Sequence, residues 1–68
     1  MTTPIEELSR RELEVLRWMA CAKTNNEIAL ILGIATGTVR KHAENVYRKL
    51  RVSGRVSAVL EAQARGLV

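Results

Sequence analysis

Hydrophobic residues recur at helical spacing once the chain has passed Ser9. Leu13 and Leu16 begin a series at three- and four-residue intervals, which is typical of one face of a helix. Ser9 stands three residues before Glu12, the separation of a capping box, in which the side chain of each residue bonds the backbone amide of the other. A first helix is therefore predicted from Ser9 to about Cys21.

Two further helices are predicted before residue 51. Thr24 and Glu27 repeat the capping-box separation, and Gly33 can adopt the left-handed conformation that ends a helix. A third helix is predicted over residues 36–50. Its apolar stripe consists of Val39, Ala43, Val46 and Leu50. Its opposite face is polar and consists of Gly37, Arg40, Lys41, Glu44, Asn45 and Arg48. Side chains of this kind can hydrogen-bond base edges and phosphates.

A fourth helix is predicted over residues 54–65, with Ser53 as its N-cap and Gly66 at its end. Its inward stripe is predicted to consist of Val56, Val59, Leu60 and Gln63. The other side consists of Ala58, Ala62 and Arg65. Because two small residues one turn apart let a second helix approach closely, this side is the predicted dimerisation surface.

Charge is distributed unevenly along the chain. Residues 1–34 contain four basic and five acidic side chains, whereas residues 35–68 contain seven basic and two acidic side chains. The net charge of +4 therefore belongs to the second half. Such a basic region indicates a polyanionic partner, although charge alone does not separate nucleic acid from an acidic membrane surface.

Length and composition exclude several classes of protein. A chain of 68 residues forms one domain with a small core, so an enzyme with a deep cleft is not expected. His42 is the only histidine and has no nucleophile or paired carboxylate at catalytic spacing. Cys21 is the only cysteine, which excludes an intrachain disulfide and a zinc cluster. No cofactor, metal, small-molecule ligand or membrane span is expected, and the predicted location is the cytoplasm.

Two short helices joined by a turn and followed by a basic helix form a helix-turn-helix unit. The residues that fill this unit resemble the LuxR-type DNA-binding domain. The matching segments are Leu8-Ser9-Arg10-Arg11-Glu12-Leu13-Glu14-Val15-Leu16, Thr24-Asn25-Asn26-Glu27-Ile28-Ala29, Leu32-Gly33-Ile34, Thr38-Val39-Arg40-Lys41-His42, Asn45-Val46-Tyr47-Arg48-Lys49-Leu50, Val52, Arg55 and Ala58-Val59. The resemblance covers residues 8–68 and leaves residues 1–7 as an N-terminal extension.

The resemblance implies an all-α, four-helix bundle that binds double-stranded DNA. Its third helix would enter the major groove, and its fourth would pair two protomers at least on DNA. RNA polymerase is a further candidate partner. The base-facing residues implied by the resemblance are Arg40, Lys41 and Glu44. The phosphate or flanking contacts are Thr24, Asn25, Asn26, Thr36, Gly37, Thr38, Asn45, Arg48 and Lys49.

Four residues depart from the LuxR-type pattern. Ala22 stands where a glycine is usual after the first helix, and Arg51 where a glycine is frequent after the third. Asn26 replaces a common lysine. Ala35 replaces the serine or threonine that caps the recognition helix, at a cost of about 1 kcal/mol where the cap bond is lost. These changes bear on the strength of DNA binding more than on the fold.

Two alternative functions remain open from the residues. The segment from Leu32 to Val39 also resembles the fourth region of a sigma factor, but such chains commonly end soon after the recognition helix, and here a fourth helix follows. The domain could also be a protein-binding adaptor that has lost DNA binding, against which the basic second half argues. Binding to core RNA polymerase without DNA would support the first alternative.

Overall fold

A computed structural model describes residues 7–68. It contains four helices, α1 (Arg10–Ala20), α2 (Asn25–Leu32), α3 (Thr36–Leu50) and α4 (Arg55–Ala64), and no strand within the described range. The predicted all-α class and the order of the helices are confirmed. None of these helices is long and apolar enough to cross a membrane. Of the predicted N-terminal extension, residues 1–6 lie outside the described part of the chain.

The starts of α1 and α2 are specified by the two predicted capping boxes. In the first, the Glu12 amide donates to Ser9 Oγ at 3.1 Å and the Ser9 amide donates to Glu12 Oε1 at 2.9 Å. Thr24 and Glu27 exchange the same pair of bonds at 3.1 and 2.8 Å. Each pair satisfies two amides that a helix start would otherwise leave without partners.

The starts of α3 and α4 have no side-chain cap. Ala35 precedes α3 and cannot supply one, as the sequence predicted. The prediction that Ser53 caps α4 is wrong, because the residue in the capping position is Gly54. Ser57 instead donates its hydroxyl back to the Gly54 carbonyl at 3.1 Å.

All four helices end in the same way, with a residue in left-handed backbone conformation. Gly33 and Gly66 have φ of 68° and 72°, while Ala22 and Arg51 have φ of 61° and 58°. At each end the following amide bonds a carbonyl five residues back, as from Lys23 to Trp18 at 3.1 Å. Glycine adopts this conformation without a steric penalty, but alanine and arginine do not. The ends of α1 and α3 are therefore strained, at the two positions where a glycine of the family pattern is replaced.

The core forms around α3, which packs against each of the other three helices. The predicted stripe of Val39, Ala43, Val46 and Leu50 is buried in full. The other buried apolar residues are Val15, Leu16, Met19, Ile28, Ala29, Ala58 and Ala62. Because one side of α3 is enclosed in this way, its opposite side faces outward along most of its length.

The orientation predicted for α4 is wrong except at Val59, which is half-buried against the core as predicted, whereas Gln63 is exposed. Ala58 and Ala62 are 0% exposed, whereas Val56 and Leu60 are 75% and 59% exposed. Small side chains let α4 approach α1 and α3 closely, so the alanines occupy the contact and the larger side chains are turned to the outside. Ala58 and Ala62 therefore cannot meet a second protomer. Arg65, the third predicted dimerisation residue, is half-buried and pairs with Glu61 at 2.9 Å.

Candidate nucleic-acid interface

The starts of α2 and α3 lie side by side. Thr36 at the start of α3 donates its hydroxyl to Asn26 Oδ1 in the first turn of α2, at 3.1 Å. Around this contact is an open groove of about 590 Å³. Its lining residues are Ala22, Thr24, Asn25, Asn26, Thr36, Arg40 and Arg55. The structure thus brings together five of the residues predicted to bind DNA, although they come from two separate segments of the sequence.

The groove has the chemistry of an anion-binding surface. The starts of α2 and α3 both meet there, and helix N-termini carry partial positive charge and amides with no partner inside the helix. Arg40 and Arg55 add two full positive charges. Phosphate oxygens suit such a combination of amides and guanidinium groups.

One carboxylate lies next to the groove, that of Glu27, which is bonded to the lining residue Thr24. Hydrogen bonds from the Thr24 backbone amide and then from its side chain lower the pKa of Glu27. The carboxylate consequently stays charged and remains engaged in capping α2. The bond from the Thr24 amide to this carboxylate, and the bond from the Glu27 amide to Thr24 Oγ1, hold the first turn of α2 in place beside the groove.

The outer face of α3 continues from the groove. Gly37, Thr38, Arg40, Lys41, Glu44 and Arg48 are exposed and Asn45 is half-buried, as the sequence predicted. From residue 37 to residue 48 this face is about 16 Å long, at 1.5 Å per residue. Helices of this kind fit the major groove of B-DNA, which is about 12 Å wide.

Lys49 does not belong to this face, which corrects the prediction that it contacts DNA. Its Nζ lies 2.7 Å from Glu12 Oε1 and 3.2 Å from the Glu7 carbonyl oxygen. The side chains of Lys49 and Glu12 are only 14% and 6% exposed. Lys49 therefore ties α3 to α1. Burial acts to raise the pKa of Glu12, but hydrogen bonds from Lys49 and Ser9 outweigh it and the pKa is lowered.

The basic second half of the chain is thus less available to a polyanion than its composition indicates. Among its basic side chains, Lys49 and Arg65 form ion pairs with the carboxylates of Glu12 and Glu61. Arg40 and Lys41 are exposed on α3. Within residues 7–68, no group of histidine, cysteine, aspartate and glutamate side chains could hold a metal ion.

Arg55 is the charged groove residue that sequence reasoning did not assign to the site; the other unassigned lining residue is Ala22. Its Nη2 donates to the backbone carbonyl of Lys23, in the turn between α1 and α2. The two residues are 32 positions apart, so no local pattern connects them. The only signal in the sequence was the place of Arg55 in the segments that resemble the family.

Helix-turn-helix geometry with an exposed polar third helix and an anion-binding groove defines a DNA-binding domain. The model of the family described as "Bacterial regulatory proteins, luxR family" matches residues 6–62. The chain therefore belongs to the luxR family of bacterial regulatory proteins. This confirms the family that the sequence segments indicated.

Several relatives share this domain. The chain is 48% identical to the transcriptional activator protein PhzR of Pseudomonas fluorescens over 62 residues, which are 91% of this chain and 25% of PhzR. It is 41% identical to the regulatory protein SdiA of Escherichia coli strain K12 over 66 residues, which are 97% of this chain and 28% of SdiA. The chain thus spans about a quarter of the length of these relatives.

Two solved structures share this fold. The transcription factor GerE matches at 35% identity with a TM-score of 0.83, over 91% of this chain and 94% of the GerE chain. The response regulator ChrA of a heme-sensing two-component system matches at 33% identity with a TM-score of 0.89, over 97% of this chain and 33% of the ChrA chain. The same four-helix domain therefore makes up nearly all of one solved chain and about a third of the other.

Proposed function

We propose that this domain binds double-stranded DNA at specific sequences and regulates transcription, with α3 in the major groove. One observation carries the proposal: the exposed polar face of α3 runs without interruption into the groove formed by the starts of α2 and α3. Base edges would meet the face of α3, and the phosphate backbone would meet the groove. Such a regulator acts in the bacterial cytoplasm and is not an enzyme.

The proposed contacts fall into two sets. Arg40, Lys41 and Glu44 face the bases, where an arginine can bind guanine O6 and N7 together and a glutamate can accept from cytosine N4. The phosphate and flanking contacts are Thr24, Asn25, Asn26, Thr36, Gly37, Thr38, Asn45 and Arg48. Lys49 is removed from this set because Glu12 holds it.

Arg40 and Arg48 test this arrangement because both are basic but have different proposed partners. After bound sites are selected from a random DNA library, affinity is measured for a matched and a single-base-changed site at several salt concentrations. Arg40→Ala should cost about 1–3 kcal/mol and relax preference at one base pair. Arg48→Ala should weaken all sites alike and reduce the slope of log affinity against log salt by about one per protomer.

The control is Arg10→Ala, which removes one charge from α1, where the Arg10 side chain is 95% exposed. This variant should keep the base preference of the unmodified domain. The proposal is contradicted if Arg48→Ala alters base preference while Arg40→Ala changes only the salt slope. The orientation of α3 in the major groove would then be the reverse of the one proposed. A domain that shows no salt-sensitive shift of any DNA fragment would instead be a protein-binding adaptor.

Pairing of protomers on DNA is proposed through the outer face of α4. Val56 and Leu60 stand one turn apart and are largely exposed. A patch of two such residues is small compared with the roughly 800 Å² per partner of a stable interface, so the free domain is expected to be monomeric or weakly dimeric. On DNA, two-fold pairing would require inverted half-sites with centres about 10 base pairs apart.

Leu60→Glu tests the pairing surface. The exchange places two carboxylates opposite each other in the dimer, so binding to paired half-sites should fall while binding to one half-site and the melting temperature stay unchanged. Ala62→Glu would not test the pairing surface, because residue 62 is buried and a carboxylate there would unfold the domain. Footprints that show only single, unpaired half-sites would contradict the proposal.

A further inference from the structure

Arg55 connects α4 to the groove at the starts of α2 and α3. It is the first residue of α4, and its guanidinium reaches the turn after α1, where Nη2 donates to the Lys23 carbonyl. The residue is half-buried and lines the groove together with Thr24, Asn25 and Arg40. The two arginines of the groove therefore come from different helices.

The hydrogen bond to the Lys23 carbonyl does not neutralise the positive charge of Arg55. A carbonyl is neutral, whereas the partners of Lys49 and Arg65 are the carboxylates of Glu12 and Glu61. No carboxylate forms an ion pair with Arg55 in the part of the chain that the structure describes. The charge acts on the nearby Glu27 carboxylate only at a distance, as a minor influence that lowers its pKa.

The hydrogen bond to Lys23 also orders the side chain before any ligand arrives. A guanidinium has five N–H donors in a planar fork, so one bond to a carbonyl leaves donors for a second acceptor. Immobilising a long side chain on binding costs conformational entropy, and much of that cost is already met in the free domain. An arginine held in this way at the edge of an anion-binding groove suits a phosphate.

We propose that Arg55 is a phosphate-binding residue of the DNA interface, supplied by α4 and positioned by the Lys23 carbonyl. The inference rests on the proposed DNA-binding function. It differs from a purely structural role, in which Arg55 would only stabilise the turn before α2. The two roles have different consequences for the salt dependence of binding, because only a phosphate contact releases a counterion.

The test compares Arg55→Met and Arg55→Lys on a selected site and on an unrelated DNA fragment, by fluorescence anisotropy at several salt concentrations. Methionine keeps an unbranched apolar side chain without the charge, and lysine keeps the charge without the fork. We expect Arg55→Met to weaken both DNAs by the same factor and to reduce the salt slope by about one per protomer. Arg55→Lys should keep the slope. The matched control is Arg65→Met, at the C-terminal end of the same helix, which should also keep the slope because Glu61 neutralises Arg65.

Loss of affinity with an unchanged salt slope in Arg55→Met, or no loss at all, would overturn the assignment. If neither variant folds, as judged by thermal unfolding, the guanidinium NMR signals of Arg55 in the unmodified domain decide. They should shift on addition of DNA, and unshifted signals would also overturn it. A failure of the DNA-binding function is distinguishable, because the unmodified domain would then show no salt-sensitive binding and Arg40→Ala would have no effect.

Discussion

Replacement of Ala22 by glycine is expected to stabilise the domain. Ala22 ends α1 in left-handed backbone conformation with φ of 61°. The bonds that close this helix, from the Ala22 amide to Met19 at 2.9 Å and from the Lys23 amide to Trp18 at 3.1 Å, join backbone atoms only. Glycine can make the same bonds, and because the Ala22 side chain is exposed, little packing is lost.

The magnitude follows from two opposing effects. An L-residue in the left-handed conformation costs about 1–2 kcal/mol relative to the right-handed one. A glycine makes the unfolded chain more flexible, and the extra entropy lost on folding offsets about 0.4–1 kcal/mol of the strain that is relieved. The free energy of unfolding should therefore rise by about 0.8 kcal/mol, the difference between the midpoints of these two ranges. For a domain of this size, 1 kcal/mol corresponds to a shift in melting temperature of about 4–8 °C.

Gly33→Ala is the reciprocal control. Gly33 has the same left-handed conformation, with φ of 68°, and a Cβ added there would meet no atom within 4 Å. Its replacement should destabilise the domain by a similar amount through the backbone alone. Both variants are followed by circular dichroism during thermal and urea unfolding. The strain argument is refuted if Ala22→Gly is neutral or destabilising while Gly33→Ala destabilises.

Two further substitutions test contacts that hold α3. Glu12→Gln should destabilise the domain by about 1–3 kcal/mol at neutral pH, because Lys49 is left half-buried without a countercharge. Since the pKa of Glu12 is lowered in the folded state, this stabilisation exists above the ordinary carboxyl pKa and is lost as pH falls through the lowered value. Urea unfolding at several pH values should show the difference between the two proteins shrinking in acid, and a constant difference would contradict the ion pair. Ala35→Ser should supply the missing side-chain cap of α3 and raise the free energy of unfolding by about 1 kcal/mol, measured by thermal unfolding. An unchanged stability would mean that another group already bonds the amides in the first turn of α3.

Much of the architecture follows from signals that act over three or four residues. The capping boxes of Ser9 with Glu12 and of Thr24 with Glu27 are complete within one helical turn, so the sequence alone located the starts of α1 and α2. The apolar stripe of α3 was also legible, because its period matches the helix and its other face is polar. The contrast between the apolar and polar faces indicated which side of α3 would be exposed, and most residues of the candidate site lie on that side.

The tertiary structure decided what depends on residues far apart in the chain. Helix α4 is apolar on both sides, so periodicity could not show which side is buried; the close approach of α4 to its neighbours selected the alanines and left Val56 and Leu60 outside. Lys49 meets Glu12 from 37 positions away, and Arg55 meets Lys23 from 32. Packing of the helices thereby paired Lys49 with a carboxylate of α1 and brought Arg55 to the groove, and neither contact could be found from residues that are neighbours in the sequence.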